Sequence, residues 1–206
     1  LGRINFAGRN DNSQDVDYGF LAWYAADVSD GSEDAFMQMG IMKAGSSHLM
    51  LEATASEIVF NQGSVDVDFR VESNGLTNAF VVDGGNNGVG FGVTPRSDLH
   101  TTWEQLFLGS KGSIISERLG SGGLYGTLIT DNLYIDSDTG SYANITTDES
   151  SLYMQEAGSH RFFAQASGSA GAAVTASEKM RINVSGNVSI ACTSDYKSLT
   201  VGDTDA

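Results

Sequence analysis

Apolar and polar residues along this chain alternate in short bursts and never hold a helical period. The clearest burst is SVDVDFRVE, residues 64–72. It places Val65, Val67, Phe69 and Val71 on one side and Asp66, Asp68, Arg70 and Glu72 on the other. A period of two over that length predicts a half-buried strand, bounded by Gly63 and by the turn Ser73-Asn74-Gly75. Fainter alternation recurs at Ile4 and Phe6, at Met37, Met39 and Ile41, at Leu49 and Leu51, and at Ile58 and Phe60. It continues in LITDNLYID (128–136) and SLYMQ (151–155), and only DLHTTWEQL (98–106) and AAVTASEKM (172–180) leave room for a short helix. The pattern predicts an all-β chain of short antiparallel strands and hairpins.

One stretch departs from ordinary alternation. In VVDGGNNGVGFGVTP (81–95), Val89, Phe91 and Val93 alternate with Gly88, Gly90 and Gly92, so one face of the strand carries no side chains. The stretch also has a counterpart. AFVVDGGNNGVGFGVTPRSDLHT (79–101) aligns with KMRINVSGNVSIACTSDYKSLTV (179–201), setting Val89 against Val188, Phe91 against Ile190 and Val93 against Cys192. The repeat spacing is about 100 residues. Each copy reads as strand, Asn/Gly/Ser turn, strand, which is a hairpin signature. Asn187, Ser189 and Ala191 stand opposite the three glycines, so both copies keep that face small.

Glycine inside a strand costs roughly 0.5–1 kcal/mol against alanine. Three such positions predict another backbone close against the face. In a compact monomer that backbone is the chain's own, and in a slender fibre it belongs to neighbouring subunits around an axis. The fibre reading makes Gly88, Gly90, Gly92, Val89, Phe91, Val93, Val188, Ile190 and Cys192 subunit-packing positions. The repeat divides the chain into units 1–98 and 99–198, with 199–206 opening a further copy. The first residue is Leu1 and the second copy stops near the end, so a piece of a longer protein is expected.

Composition adjusts this picture. Among 206 residues there are 25 glycines and 1 proline, which fits many strands joined by tight turns. The formal net charge of −15 opposes binding to nucleic acid or to anionic lipid. No apolar run approaches the roughly 18 residues of a membrane-spanning helix, and no signal-peptide pattern is visible. The single cysteine excludes an internal disulfide, leaving packing, assembly or metal as sources of stability.

DVDFRVESNGLTNAFVVDGGNNGVGFGVTP (66–95) resembles the repeat of bacteriophage tail fibres and other virion appendages, especially those of marine and environmental phages. Those repeats read DVDFRVES, then LFVDG, then a G-V-G-I-G-T-x-P block. The segment 165–203 resembles a second phrase of the same family: small residues, then Met180-Arg181-Ile182, then a Ser-Gly-Asn turn. LGRINFAGRNDN (1–12) with SDGSEDAFMQMG (29–40) resembles the segment that often precedes them. The likeness touches most of the chain, with Phe91 where Ile is usual and Ser194 where Pro is expected. It implies an elongated, intertwined homotrimeric fibre segment.

Candidate chemistry is sparse. Cys192, opposite Val93, reads as a small buried hydrophobe, since free cysteine is among the most buried residue types. His48, His100 and His160 show no metal-ligand spacing. Asp15/Asp17, Asp66/Asp68 and Asp136/Asp138 each follow an Asp-x-Asp spacing, which in a strand sets two carboxylates about 7 Å apart on one face. Of these, Asp136 and Asp138 are the calcium candidates, with loop carbonyls as further ligands. The clusters Gly120–Gly123 and Asp83–Gly88 lack the Lys and Ser/Thr of a phosphate loop. Trp23, Tyr24 and Trp103 are aromatic candidates for partner contact, against the alternative of an inter-subunit core.

These readings converge on a non-enzymatic structural and adhesive virion component mediating host-surface attachment, external to the particle. Its expected partners are copies of itself, other virion tail proteins and a host glycan or protein. The rivals are a polysaccharide-degrading tailspike and a bacterial repeat adhesin.

Overall fold

The computed structural model describes residues 1–86, 88–117 and 126–190. The described chain is all-β, with no helix among these residues. Its contacts divide it into two compact units, Leu1–Phe69 and Arg70–Ala206.

The first unit is a meander of β1 (Gly2–Arg9), β2 (Asp15–Asp27), β3 (Asp34–Lys43), β4 (Ser46–Ala53) and β5 (Ile58–Phe60), each antiparallel to the next. The sequence dictates the turns. Asn10 folds the β1–β2 connection by accepting the Asn12 and Gln14 N–H groups on its side chain. Asp27 does the same for Ser29 ahead of β3, and the bonds to Ser29 hold its carboxyl below the usual range.

From β6 (Phe69–Val71), whose first residue closes the first unit, the second unit runs through β7 (Phe80–Val82), β8 (Val89–Phe91), β9 (Trp103–Leu108), β10 (Gly112–Glu117) and β11 (Gly126–Asp131). It continues with β12 (Leu133–Ile135), β13 (Tyr142–Asn144), β14 (Asp148–Glu156), β15 (Ser159–Gly168), β16 (Ser177–Ile182) and β17 (Val188–Ile190). Ten of these form one sheet in the order β17-β16-β15-β14-β11-β10-β9-β8-β7-β6, antiparallel in the pairings described except for the parallel β8–β9 pair. β12 and β13 form a separate two-stranded layer. Leu133 and Ile135 of that layer pack with Ile115, Leu128, Leu152, Met154 and Val174 as the main core. Tyr134 and Ala143 complete a second cluster with Leu99 and Phe107.

Asn132 joins the layer to the sheet. It is fully buried at 0% exposure, in left-handed conformation with φ 58°. Its amide donates to the Thr146 and Glu149 carbonyls and its oxygen accepts the Thr146 N–H and hydroxyl. Asparagine tolerates that φ better than most residues, and its side chain satisfies backbone groups that no ladder reaches.

The repeat is present as two hairpins in matching register. In β7–β8, Val82 pairs Val89, Val81 pairs Gly90 and Phe80 pairs Phe91. In β16–β17, Ile182 pairs Val188, Arg181 pairs Ser189 and Met180 pairs Ile190. Each turn is organised by the same device, the Asp83 carboxylate accepting the Gly85 and Asn86 N–H groups and the Asn183 oxygen accepting those of Ser185 and Asn187. The repeat boundary at 98/99 and the division at 69/70 are different divisions of the chain.

Three local readings are resolved by the structure. The strand predicted over 64–72 is a strand only at Phe69–Val71. Asn61 takes up the preceding backbone by donating to the Val65 and Val67 carbonyls and accepting the Val65 N–H, so no ladder is needed there. Neither segment that left room for a short helix forms one: 103–108 is β9 and 177–182 is β16.

The third concerns the glycines. The close approach exists, and this chain makes it. A Cβ on Gly90 would collide with the carbonyl oxygen of Val93, and one on Gly88 would lie 2.6 Å from Pro95 Cβ. Gly92 faces open space but adopts φ 71°, which turns Val93–Pro95 back over the strand. The bare glycine face therefore accommodates an intrachain fold-back and is no argument for a neighbouring subunit. Cys192 and the opening of a further copy at 199–206 lie outside the described residues.

Candidate interaction surface

Strand registers show which residues share a face, and in both units one face carries an apolar row running from strand to strand. In the first unit Ile4 pairs Leu21, Leu21 pairs Met39, Met39 pairs Leu51 and Leu51 pairs Phe60. A flanking row adds Trp23, Met37, Ala53 and Ile58. Phe6, opposite Gly19, and Ile41 widen it on the other side. Ile4 is 59% exposed, Phe60 53% and Trp23 43%. Seven large side chains here, Ile4, Phe6, Trp23, Met39, Ile41, Ile58 and Phe60, leave on the order of 700 Å² of apolar surface open.

The opposite face of the same sheet is closed by its own side chains. The Arg3 guanidinium lies 3.9 Å from the Phe20 ring centroid, Tyr24 stacks on Phe36 at 4.9 Å, and Gln38 donates to Glu52 at 2.6 Å. Asn5 reaches Asp17, and Arg9 pairs with Asp15. Charge is collected on this face, while Lys43, at the margin of the apolar face, donates to the Asp66 carbonyl.

In the second unit the row is narrower and longer. Ile190 pairs Met180, Met180 pairs Phe162, Phe162 pairs Tyr153, and Tyr153 pairs Ile129. Ile129 pairs Ile114, Ile114 pairs Leu106, Leu106 pairs Val89, and Val89 pairs Val82. At roughly 4.8 Å per strand the stripe is about 38 Å long. Phe91 and Leu108 adjoin it, and the neighbouring row on its other side is polar, with Glu104, Ser116, Thr127, Gln155 and His160. The Tyr153 and Phe162 rings lie tilted with centroids 4.9 Å apart, and Tyr153 hydrogen-bonds His160.

On the inner face of this sheet the charged groups pair with one another. Glu178, only 9% exposed, accepts from Arg161 at 2.8 Å and from Arg181 at 2.7 Å, and Arg161 also reaches Glu156 at 2.8 Å. Burial alone would raise the Glu178 carboxyl, but the two guanidinium groups outweigh it and hold the group below its ordinary value. Nearer β12, the Arg96 guanidinium lies over the Tyr134 ring at 3.9 Å and pairs with Asp98 at 2.6 Å. Burial pushes the Tyr134 hydroxyl up to about 12, so it remains a donor to Asp98 at 3.1 Å.

The sequence candidates separate on this frame. Trp23 lies on the open apolar face, Tyr24 on the closed face, and Trp103 packs partly buried against the core of the second unit. Val89, Phe91, Val188 and Ile190 point to the outer face of the large sheet, where Phe91 is 46% and Ile190 57% exposed. Asp136 is a turn cap: its Oδ1 accepts the Asp138 and Thr139 N–H groups and the Thr139 hydroxyl, and these bonds hold its carboxyl below the usual range. Asp138 accepts a bond from Ser137, and no cluster of three or more metal-ligating side chains occurs among the described residues.

Alternation alone missed Leu106, Ile114, Ile129 and Phe162. A signal was available in the apolar doublets Leu106-Phe107, Ile114-Ile115, Leu128-Ile129 and Phe162-Phe163, since a doublet in a strand places one apolar group on each face. No family model matches the chain, and no curated protein is significantly similar to it.

Proposed function

We propose that this chain is a structural and adhesive segment of a virion appendage of the phage tail-fibre kind, without catalysis, assembled as a homotrimer. The observation that carries the assembly is the pair of exposed apolar rows. A sheet is stable when its apolar face is buried against another layer, and here one face of each sheet keeps large apolar side chains open to solvent, although Val67 and Phe69 cover part of that face in the first unit. The open area of the first unit alone approaches the roughly 800 Å² that one partner contributes to a stable interface. Identical chains supply identical rows at identical spacing, so copies set side by side bury both. The virion setting rests on the resemblance of 66–95 and 165–203 to fibre repeats.

Light scattering on the purified chain tests the assembly, with three chain masses expected. A stably folded monomer at micromolar concentration would overturn it. Incubation with polysaccharide from a host tests the absence of catalysis, and release of reducing ends would favour the tailspike.

A further inference from the structure

The connection from β6 to β7 turns at Ser73–Leu76, beside the last strand of the ten-stranded sheet. Ser73 and Leu76 close the turn. The Ser73 N–H donates to the Leu76 carbonyl at 2.8 Å, and the Leu76 N–H donates to the Ser73 hydroxyl at 3.2 Å and its carbonyl at 3.4 Å. Asn74 and Gly75 form the tip, and both are exposed. Neither the Asn74 side chain nor the Gly75 N–H is held by a hydrogen bond, and a Cβ on Gly75 would meet nothing within 4 Å. Other asparagines are placed differently. Asn132 and Asn144 are buried at 0% and 1% exposure, and Asn78 donates its amide to Thr94. Asn10 and Asn183 commit their side-chain oxygens to N–H groups of their own turns. Each of these five is followed by a residue that carries a side chain.

We infer that Asn74 is a site of spontaneous modification, at which the native chain loses the side-chain amide as ammonia and rebuilds the turn as isoaspartate or aspartate. The Gly75 nitrogen gives its proton to base and bonds to Asn74 Cγ. The Cγ–Nδ2 bond breaks, Nδ2 leaves as ammonia with a proton from water, and a cyclic imide remains. Water then opens the imide. Attack at the backbone carbonyl leaves the chain linked through Cγ, as isoaspartate, and attack at Cγ restores the ordinary link, as aspartate. One water enters for each ammonia lost, and no oxidant or reductant is needed. Glycine favours the first step because it has no side chain to crowd the approach of its nitrogen, and an exposed tip held only at its two ends leaves the Asn74 side chain free to reach it. The product adds one negative charge to a chain already at −15. Isoaspartate also lengthens the main chain by one carbon inside the loop that Ser73 and Leu76 close. The site depends on neither the assembly nor the virion setting.

The test incubates the purified full chain in mildly alkaline buffer made with heavy-oxygen water, both native and denatured in urea. Cleavage after Glu72 and before Asp83 releases residues 73–82, which carry Asn74 and Asn78 but not the second Asn-Gly pair at Asn87. Tandem mass spectrometry then locates any residue that has exchanged its amide nitrogen for one labelled oxygen. Steady conversion at Asn74 is expected in the native chain, at a rate that urea changes little, while Asn78, Asn132 and Asn144 keep their amides in the native chain. Gly75→Ala adds a methyl group into open space, so it should keep the melting curve of the wild type and lose most of the conversion. A native chain that retains the Asn74 amide while the denatured chain loses it would overturn the site. So would conversion undiminished in Gly75→Ala, or loss shared evenly between Asn74 and Asn78.

Discussion

Gly90 lies against the carbonyl of Val93 on its own chain, with Pro95 Cδ 3.2 Å from where a Cβ would stand. Pro95 is itself buried, so it has little room to give way. Gly90→Val is therefore expected to lower stability by roughly 1–3 kcal/mol or more through overpacking. Gly75→Ala, at a position with open space around it, should stay within a few tenths. Thermal melts of the two variants check this, and an unchanged melt for Gly90→Val would show that the fold-back is loose.

A charge placed on the outer stripe tests what covers it. Ile129 is 52% exposed in the single chain, so Ile129→Lys costs little if the face stays in water. Buried against another copy, the ammonium would be unpaired, and the assembly should fall apart by several kcal/mol. Light scattering should show the assembled mass for the wild type and dissociated chains for Ile129→Lys. Thr127→Lys, in the polar row on the same strand and face, is the control and should leave the mass unchanged.

Asn132 holds the small layer to the large sheet. Removing its amide in Asn132→Ala takes the donor away from the part-buried carbonyls of Thr146 and Glu149 and forces alanine into φ 58°. The expected loss is about 3 kcal/mol, of which glycine should recover about 1 by relieving backbone strain. The order wild type, Asn132→Gly, Asn132→Ala in urea midpoint is the readout, and a reversal of the two variants would remove the strain component.

The Glu178 carboxyl, held below its ordinary value of 4.5 by Arg181 and Arg161, links stability to pH. Its charged form is favoured in the folded state, so its contribution is fully present above about pH 4.5 to 5 and is lost as pH falls through the lowered folded value. Melting temperature should fall on acidification below pH 4.5 more steeply in the wild type than in Glu178→Gln. Glu178→Gln itself should cost about 2 kcal/mol at pH 7, because two guanidinium groups lose their shared partner. Parallel pH profiles for the two proteins would contradict the assignment.

Period-two alternation, frequent glycine and near absence of proline were enough for the all-β class. Local turn chemistry fixed the two repeated hairpins as well, because Asp83 and Asn183 cap their own turns and Val89 and Val188 take the same register. These features involve residues only a few positions apart. The structure alone decided which of several partners each backbone group and each face takes. The strongest alternating run failed to form a full strand because Asn61, earlier in the chain, satisfied the backbone at Val65 and Val67 first. The bare face at Gly88 and Gly90 proved to be filled by Pro95 and Val93, which no count of glycines distinguishes from a neighbouring subunit. The outer stripe is assembled from one or two residues per strand across nine strands, so its continuity exists only once the registers from Val82 to Ile190 are set. A side chain's face is written in its own strand, but its neighbours across the ladder are chosen by tertiary pairing.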